Sequence, residues 1–528
     1  MPRVESRLMV AARAISQALL WLLATATCMF ALDQLAREQL RAQLDGVASE
    51  RLGMRLQSTS PHRWSGKVPT DIVAKRVFSA ATFEFKDDGL HFRVGQDPAA
   101  VGLVISGNID LLSHSTLTID IASSSPARVS LLVRESLDEP VCASEARPVP
   151  AGPSELEFDI SRIQWRCANS ARSAPRQAAM LRLQFEGAAN TEHIFRSAQL
   201  NLRSTLAVAD LAGHAAPLLP APGDEPAFER ELQRLVADPA RPHPTLLQLP
   251  LDARVEQVLV ARDHILEAMP ETIIVPKGDL ASVSERAVAW SSSSPPASWL
   301  PWLGVTLLAA VLMLLRLRPP FNPRLRAALE LAGVMGVPLG LILGNQIGDN
   351  LSPPLLAVAA ITFVFALSLL FGAAPALPGS RLLVRGWSVA LLSIAIASSV
   401  SLLLGDGITH FDLPTSAEGA RYLAWATAQQ FLICVIVAGR IEILCRNRRA
   451  AILGAAVLFA LLHAPNAMLM QLTFVGGLIW TWNWQRHRAL PANIVAHALC
   501  GILLTLSLPP HWLYSAEVSA RYFLIGPS

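Results

Sequence analysis

Residues 459–466 read FALLHAPN: an imidazole, His463, set in a run apolar enough to cross a bilayer and ended at once by Pro465 and Asn466. An ionisable group at membrane depth costs about 2.5–3.5 kcal/mol even on lenient insertion scales, so His463 reads first as functional. The competing reading is a polar helix end at the interface, which Pro and Asn would also mark. Around this stretch, apolar segments succeed one another at 299–316, 327–344, 353–372, 387–404, 421–439, 450–465, 467–484 and 491–508. The loops between them alternate. Arg316, Arg318, Arg324 and Arg326 share one; Arg381 and Arg385, then Arg440, Arg446, Arg448 and Arg449, then Arg486 and Arg488 fill the others of that set. The intervening NQIGDNLS and GDGITHFDLPTSAEGA carry no Lys or Arg. This is the pattern of a multi-pass protein with basic loops in the cytoplasm, and it predicts an eight-helix bundle over 299–508 with a tail at 509–528 outside.

Of the 528 residues, 52% are hydrophobic and 16% charged, which is too apolar for a soluble protein and too polar for a bare bundle. The polar share is concentrated ahead of the bundle. Arg3, Arg7 and Arg13 precede AISQALLWLLATATCMFAL, a spanning length that reads as an uncleaved signal anchor over 1–32. A helical stalk is expected over 33–76, with Leu35, Leu40, Leu44 and Val47 on one face. The period then changes to two: TLTIDI, ELEFDI, LRLQFE and AQLNLR alternate apolar with polar, as an antiparallel β-sandwich or jelly roll over 77–203 would. Residues 204–298 read as an Ala/Pro/Gly-rich linker, a small α/β segment and the spacer SSSSPPAS. Cys142 and Cys167 fall in the sandwich segment. A compartment outside the cytoplasm would let them pair; the alternative is two buried thiols. A net charge of +3, with no basic run interleaved with aromatics, gives no reason to expect a nucleic-acid partner.

Three polar clusters interrupt the last four apolar segments. TAQQF places Gln429 and Gln430 inside one helix, His463 closes the next, and PANIVAHALCG places His497 in the last. Such groups are tolerable in hydrocarbon when they satisfy one another, so they are expected to face each other across the bundle. Hydrogen bonding between helices would explain the glutamines alone; two imidazoles add proton transfer, carbonyl polarisation and metal ligation.

In this order, the residues of roughly 300–508 resemble the CPBP superfamily of intramembrane proteases, which includes the CAAX prenyl endopeptidases and the bacteriocin self-immunity proteins. That family carries Glu-Glu-x-x-x-Arg, Phe-x-x-x-His and His-x-x-x-Asn/Asp on successive helices of an eight-helix bundle. Phe459 and His463 match the second motif, His497 the histidine of the third, and Gln429 and Gln430 stand where the glutamates would be. Cys434 replaces the arginine and Gly501 the final Asn. The resemblance implies an intramembrane endopeptidase, metallo- or glutamic-type, acting on membrane or lipidated polypeptides. It implies catalytic roles for Gln429, Gln430, His463 and His497, zinc held by His463 and His497, and Phe459 and Asn466 beside the substrate. A neutral amide cannot take a proton from water, so a CPBP-like protein that binds polypeptides without cutting them is an alternative. A third is an envelope protein whose outer sandwich binds a glycan. Glu330 is expected to reach the cytoplasmic surface rather than to catalyse. The expected location is a bacterial-type inner membrane, with residues 33–298 in the periplasm or outside the cell.

Overall fold

Packing divides the chain into two units, one of residues 1–42, 254–260 and 293–528 and the other of 43–253 and 261–292. The computed structural model describes residues 2–57, 59–168, 174–203, 216–238, 241–243, 245–290, 299–348, 352–370, 380–405 and 415–524. The spacer at 291–298, most of the linker at 204–225 and parts of both Arg-free loops lie outside the described residues.

Anchor and stalk are one helix, α1 (Pro2–Leu56). Its buried stripe is Leu32, Ala36, Leu40, Leu44, Ala48 and Leu52, a strict four-residue spacing, whereas Val47 is exposed rather than on that face. The helix ends at Leu56 and strands begin at Arg63–Ser65 and Ile72–Phe78, so the sheet domain starts inside the segment expected to be stalk.

The sandwich consists of two antiparallel sheets. One orders Gly152–Asp159, His114–Ser123, Glu192–Leu202, Gly89–Val94 and Ala80–Lys86, with Arg63–Ser65 pairing the third of these. The other orders Arg166–Cys167, Cys142–Ala143, Ala127–Arg134, Met180–Glu186, Ala99–Leu103 and Ile72–Phe78, with Arg147–Val149 pairing the third. Period two places Leu117, Ile119 and Ile121 of one sheet and Leu181, Leu183 and Phe185 of the other in a shared core. Cys142 and Cys167 face each other in register and form a disulfide. Beside the sandwich, Leu246–Leu249 and Ile273–Pro276 pair in parallel, with helices α2 (Glu225–Ala237), α3 (Val255–Ala268) and α4 (Leu280–Ala289). Ala48 and Leu52 of α1 pack on Ile273, Val275, Val283 and Ala287 of this segment.

His193 is fully buried in the sandwich against Phe92 and Phe185, and neither ring nitrogen has a hydrogen-bond partner. Burial therefore lowers its pKa to about 4. Because the folded value lies below the unfolded one, His193 favours folding above about pH 6.5, and that contribution is lost as pH falls toward 4. Thermal unfolding between pH 7 and pH 4 is expected to show a loss on the order of 3 kcal/mol that His193→Phe abolishes.

The membrane unit contains α5 (Leu300–Leu317), α6 (Pro323–Leu343), α7 (Pro353–Leu370), α8 (Ser380–Leu404), α9 (Ser416–Gln430), α10 (Ala438–Cys445), α11 (Arg448–Leu461), α12 (Ala467–His487) and α13 (Leu490–Ser507). A π-helical segment, Phe431–Val437, joins α9 and α10 into one rod, so that among the described residues α5 to α13 make eight rods between Leu300 and Ser507. Among the described residues six helices are long and apolar enough to cross a membrane, which makes this a multi-pass membrane protein. α11 is shorter, 14 residues or about 21 Å, because the chain turns at Leu462–Asn466. The starts are local chemistry: Thr415 and Glu418 form a capping box on α9, while Asn447 and Asn466 cap α11 and α12.

Candidate active site in the membrane bundle

His463 lies just past the last turn of α11, is 8% exposed, and donates from Nδ1 to the Phe459 carbonyl at 2.8 Å. A carbonyl only accepts, so the hydrogen of the neutral ring is on Nδ1 and the Nε2 lone pair is free for another task. His497, in the middle of α13 and 6% exposed, is fixed the opposite way. The Gln430 amide nitrogen lies 3.2 Å from its Nδ1, and the Gln430 carbonyl accepts from the Cys434 thiol at 3.3 Å. With its oxygen toward the thiol, the amide donates to Nδ1 and leaves the His497 hydrogen on Nε2. The structure thus brings together one imidazole presenting a base and one presenting a donor.

Aromatic rings hold the pair in place. Phe459 touches both imidazoles edge-on, with ring centres 4.9 Å from His463 and 5.6 Å from His497. Trp480 lies over His497 at 4.9 Å with its plane tilted by 30°, and Tyr422 meets it edge-on at 6.5 Å. Behind them, the Asn493 amide donates to the Trp480 carbonyl and accepts from Asn483, both at 2.7 Å. These bonds fix α13 against α12 on the side where His497 projects. The π segment begins immediately after Gln430; such insertions rotate the next helical turns about the axis and occur often at functional sites.

Gln429 is half-buried and no hydrogen bond joins it to this cluster, so of the two amides only Gln430 enters it. Asn466 is fully buried but committed elsewhere. Its side chain caps α12 at Leu469 N–H and donates to the carbonyls of Ser515 and Glu517. Glu330 does not reach the surface: it is 3% exposed and paired with Arg326 at 2.8 Å and Arg440 at 2.7 Å. An unpaired carboxylate could snorkel, whereas one held by two guanidiniums is better kept inside.

Tyr422, Trp480 and Asn493 are the site residues that sequence reasoning passed over. Tyr422 left a trace in Gly501, because a side chain there would collide with the Tyr422 hydroxyl. Outside this cluster, Glu256 accepts from Met468 N–H at 2.9 Å and so serves the start of α12. Burial raises its pKa.

Zinc in a catalytic site takes three protein ligands and keeps a fourth position open. His463 and His497 supply two donors, and among the described residues no carboxylate or thiol joins them in a ligating group, so the donor set here does not fit zinc.

Among solved structures the chain has a likeness to the one described as "Solution structure, dynamics and binding studies of CtCBM11", at 10% identity and TM-score 0.18, covering 24% of this chain and 83% of that one. No curated protein matches the chain. Residues 421–503, which hold Gln430, His463 and His497, match the family model described as Type II CAAX prenyl endopeptidase Rce1-like, in line with the resemblance to the CPBP superfamily read from the C-terminal half of the sequence.

Proposed function

We propose that the bundle is an intramembrane endopeptidase acting on membrane-embedded or lipidated polypeptides, with His463 in the place of the family's glutamate as proton acceptor. The observation that carries this reading is the opposite tautomeric fixing of the two imidazoles, by the Phe459 carbonyl and the Gln430 amide. In this mechanism His463 Nε2 takes a proton from the attacking water, and His497 Nε2–H donates to the oxygen that becomes negative as the scissile carbonyl turns tetrahedral. The proton on His463 then passes to the departing amine. Gln430 positions His497 and does not touch the reacting atoms.

The test is cleavage, by purified full-length protein in bicelles, of a panel of transmembrane and prenylated peptides. Products from at least one class are expected. A second reading, binding without cutting, rests on the absence of a carboxylate from the described cluster, and it is the outcome if no peptide is cut while photoreactive peptides still label the Phe459 and Trp480 region.

We further propose a bacterial-type inner membrane location, with the sandwich unit and the C-terminus outside the cytoplasm. Arg-rich and Arg-free loops alternating along the bundle support it, as does the Cys142–Cys167 disulfide. A reporter active only in the periplasm, fused after Ser294 or after Ser528, is expected to give signal at both sites; cytoplasmic signal at either would reverse the topology.

A further inference from the structure

Three residues far apart in sequence meet in the sandwich unit. His62 lies in the turn between α1 and strand Arg63–Ser65, His114 opens strand His114–Ser123, and Glu271 sits between α3 and strand Ile273–Pro276. One ligand atom from each lies within 4.8 Å of the other two. His62 Nε2 is 2.5 Å from Glu271 Oε1, and His114 Nε2 is 3.7 Å from the same oxygen.

His114 is fully buried, and its Nδ1–H donates to the Asp110 carbonyl at 3.0 Å. That bond fixes the tautomer and turns the Nε2 lone pair toward Glu271, which as a carboxylate can only accept. His114 Nε2 consequently has no hydrogen-bond partner. A ligating histidine is oriented in this way, its second nitrogen held by a carbonyl. Glu271 is arranged to match. Oε2 receives Arg55 Nη2 at 2.9 Å, which leaves Oε1 to the two imidazoles. An ion-pair clasp of Arg55, Glu271 and His62 would account for Glu271 but not for the unpartnered nitrogen of His114.

We propose that His62, His114 and Glu271 form a three-ligand site for a divalent metal of the zinc class, with a fourth position toward the adjoining cavity. Ligand atoms around a tetrahedral zinc with bonds of about 2.0–2.1 Å stand roughly 3.3 Å apart; the two measured separations bracket that value and the third is within 4.8 Å, so side-chain movements of about 1–1.5 Å would close the site. The cavity has a volume of about 350 Å³, and His62, Glu271, Arg55 and Asn108 are among its walls. Two imidazoles and one carboxylate with an open fourth position is a set that zinc accepts and that magnesium or calcium, with their preference for oxygen, does not. Metal there would tie the end of α1, the sandwich and the α/β segment together.

The experiment strips full-length protein with chelator, returns zinc, and measures bound metal by mass spectrometry and thermal unfolding. One zinc per chain and a higher unfolding temperature are expected, and cobalt in its place should give the intense visible absorption of a four-coordinate ion. His114→Gln and Glu271→Gln should each weaken zinc binding by more than about tenfold. The His463→Gln/His497→Gln double variant should bind zinc like the wild type, which separates this site from the bundle. Wild-type protein that takes up neither zinc nor cobalt at micromolar free metal overturns the proposal, whatever the variants do. So does zinc lost in the bundle variant but kept in Glu271→Gln.

Discussion

Replacing His463 by alanine is expected to lower peptide cleavage by about 100- to 10,000-fold, the range a positioned proton acceptor contributes. The ring touches Phe459, and its Nδ1–H bond to the Phe459 carbonyl leaves Nε2 as the one basic nitrogen the arrangement offers to water. The loss should fall on kcat with KM little changed, because a proton acceptor acts in the transition state rather than in substrate binding. Labelling by a photoreactive peptide should survive the substitution. Equal rates for His463→Ala and wild type would remove His463 from the chemistry.

The second large effect is on stability. Arg440→Ala leaves Glu330 buried with only Arg326, whose side chain is 43% exposed, and is expected to destabilise the bundle by about 3–5 kcal/mol. The pair links α6 to α10 on the rod that carries Gln430, so cleavage should fall as well. Replacing both Glu330 and Arg440 by leucine should cost much less than Arg440→Ala alone, since no unpaired charge then remains. Thermal unfolding in detergent compares the two variants. A double variant as damaged as the single one would mean that Arg440 acts through packing rather than charge.

What the sequence made legible here is whatever repeats. Period two located the sandwich, and Leu117, Ile119 and Ile121 take the inward positions it assigned. Apolar length located the bundle helices. His463 and His497 stood out because imidazole is costly in lipid, and Phe459 came with them through the family resemblance. Interactions that join distant segments without a period left no such signal. His62, His114 and Glu271 are spread over three elements with no ligand spacing between them. The π segment has the apolar composition of any buried helix, so nothing in FLICVIV announces it. Glu330 looked like a surface carboxylate because its second partner, Arg440, lies 110 residues away. Asn466 drew attention for its place beside His463, and its side chain serves the helix start and the tail instead.

Gln430→Glu tests the central claim most directly, because the two accounts of the bundle predict opposite signs. If Gln430 fixes His497 with its hydrogen on Nε2, a carboxylate accepts from Nδ1–H instead and strips Nε2 of that hydrogen. Cleavage should then fall by about 100- to 1,000-fold, the cost of one oxyanion donor. If the native chain is instead a protease disabled by loss of its acidic pair, the same substitution should create or raise cleavage. The measurement is the rate of peptide cleavage by wild type and Gln430→Glu, side by side in bicelles: a fall is the result predicted here, and a rise would contradict it.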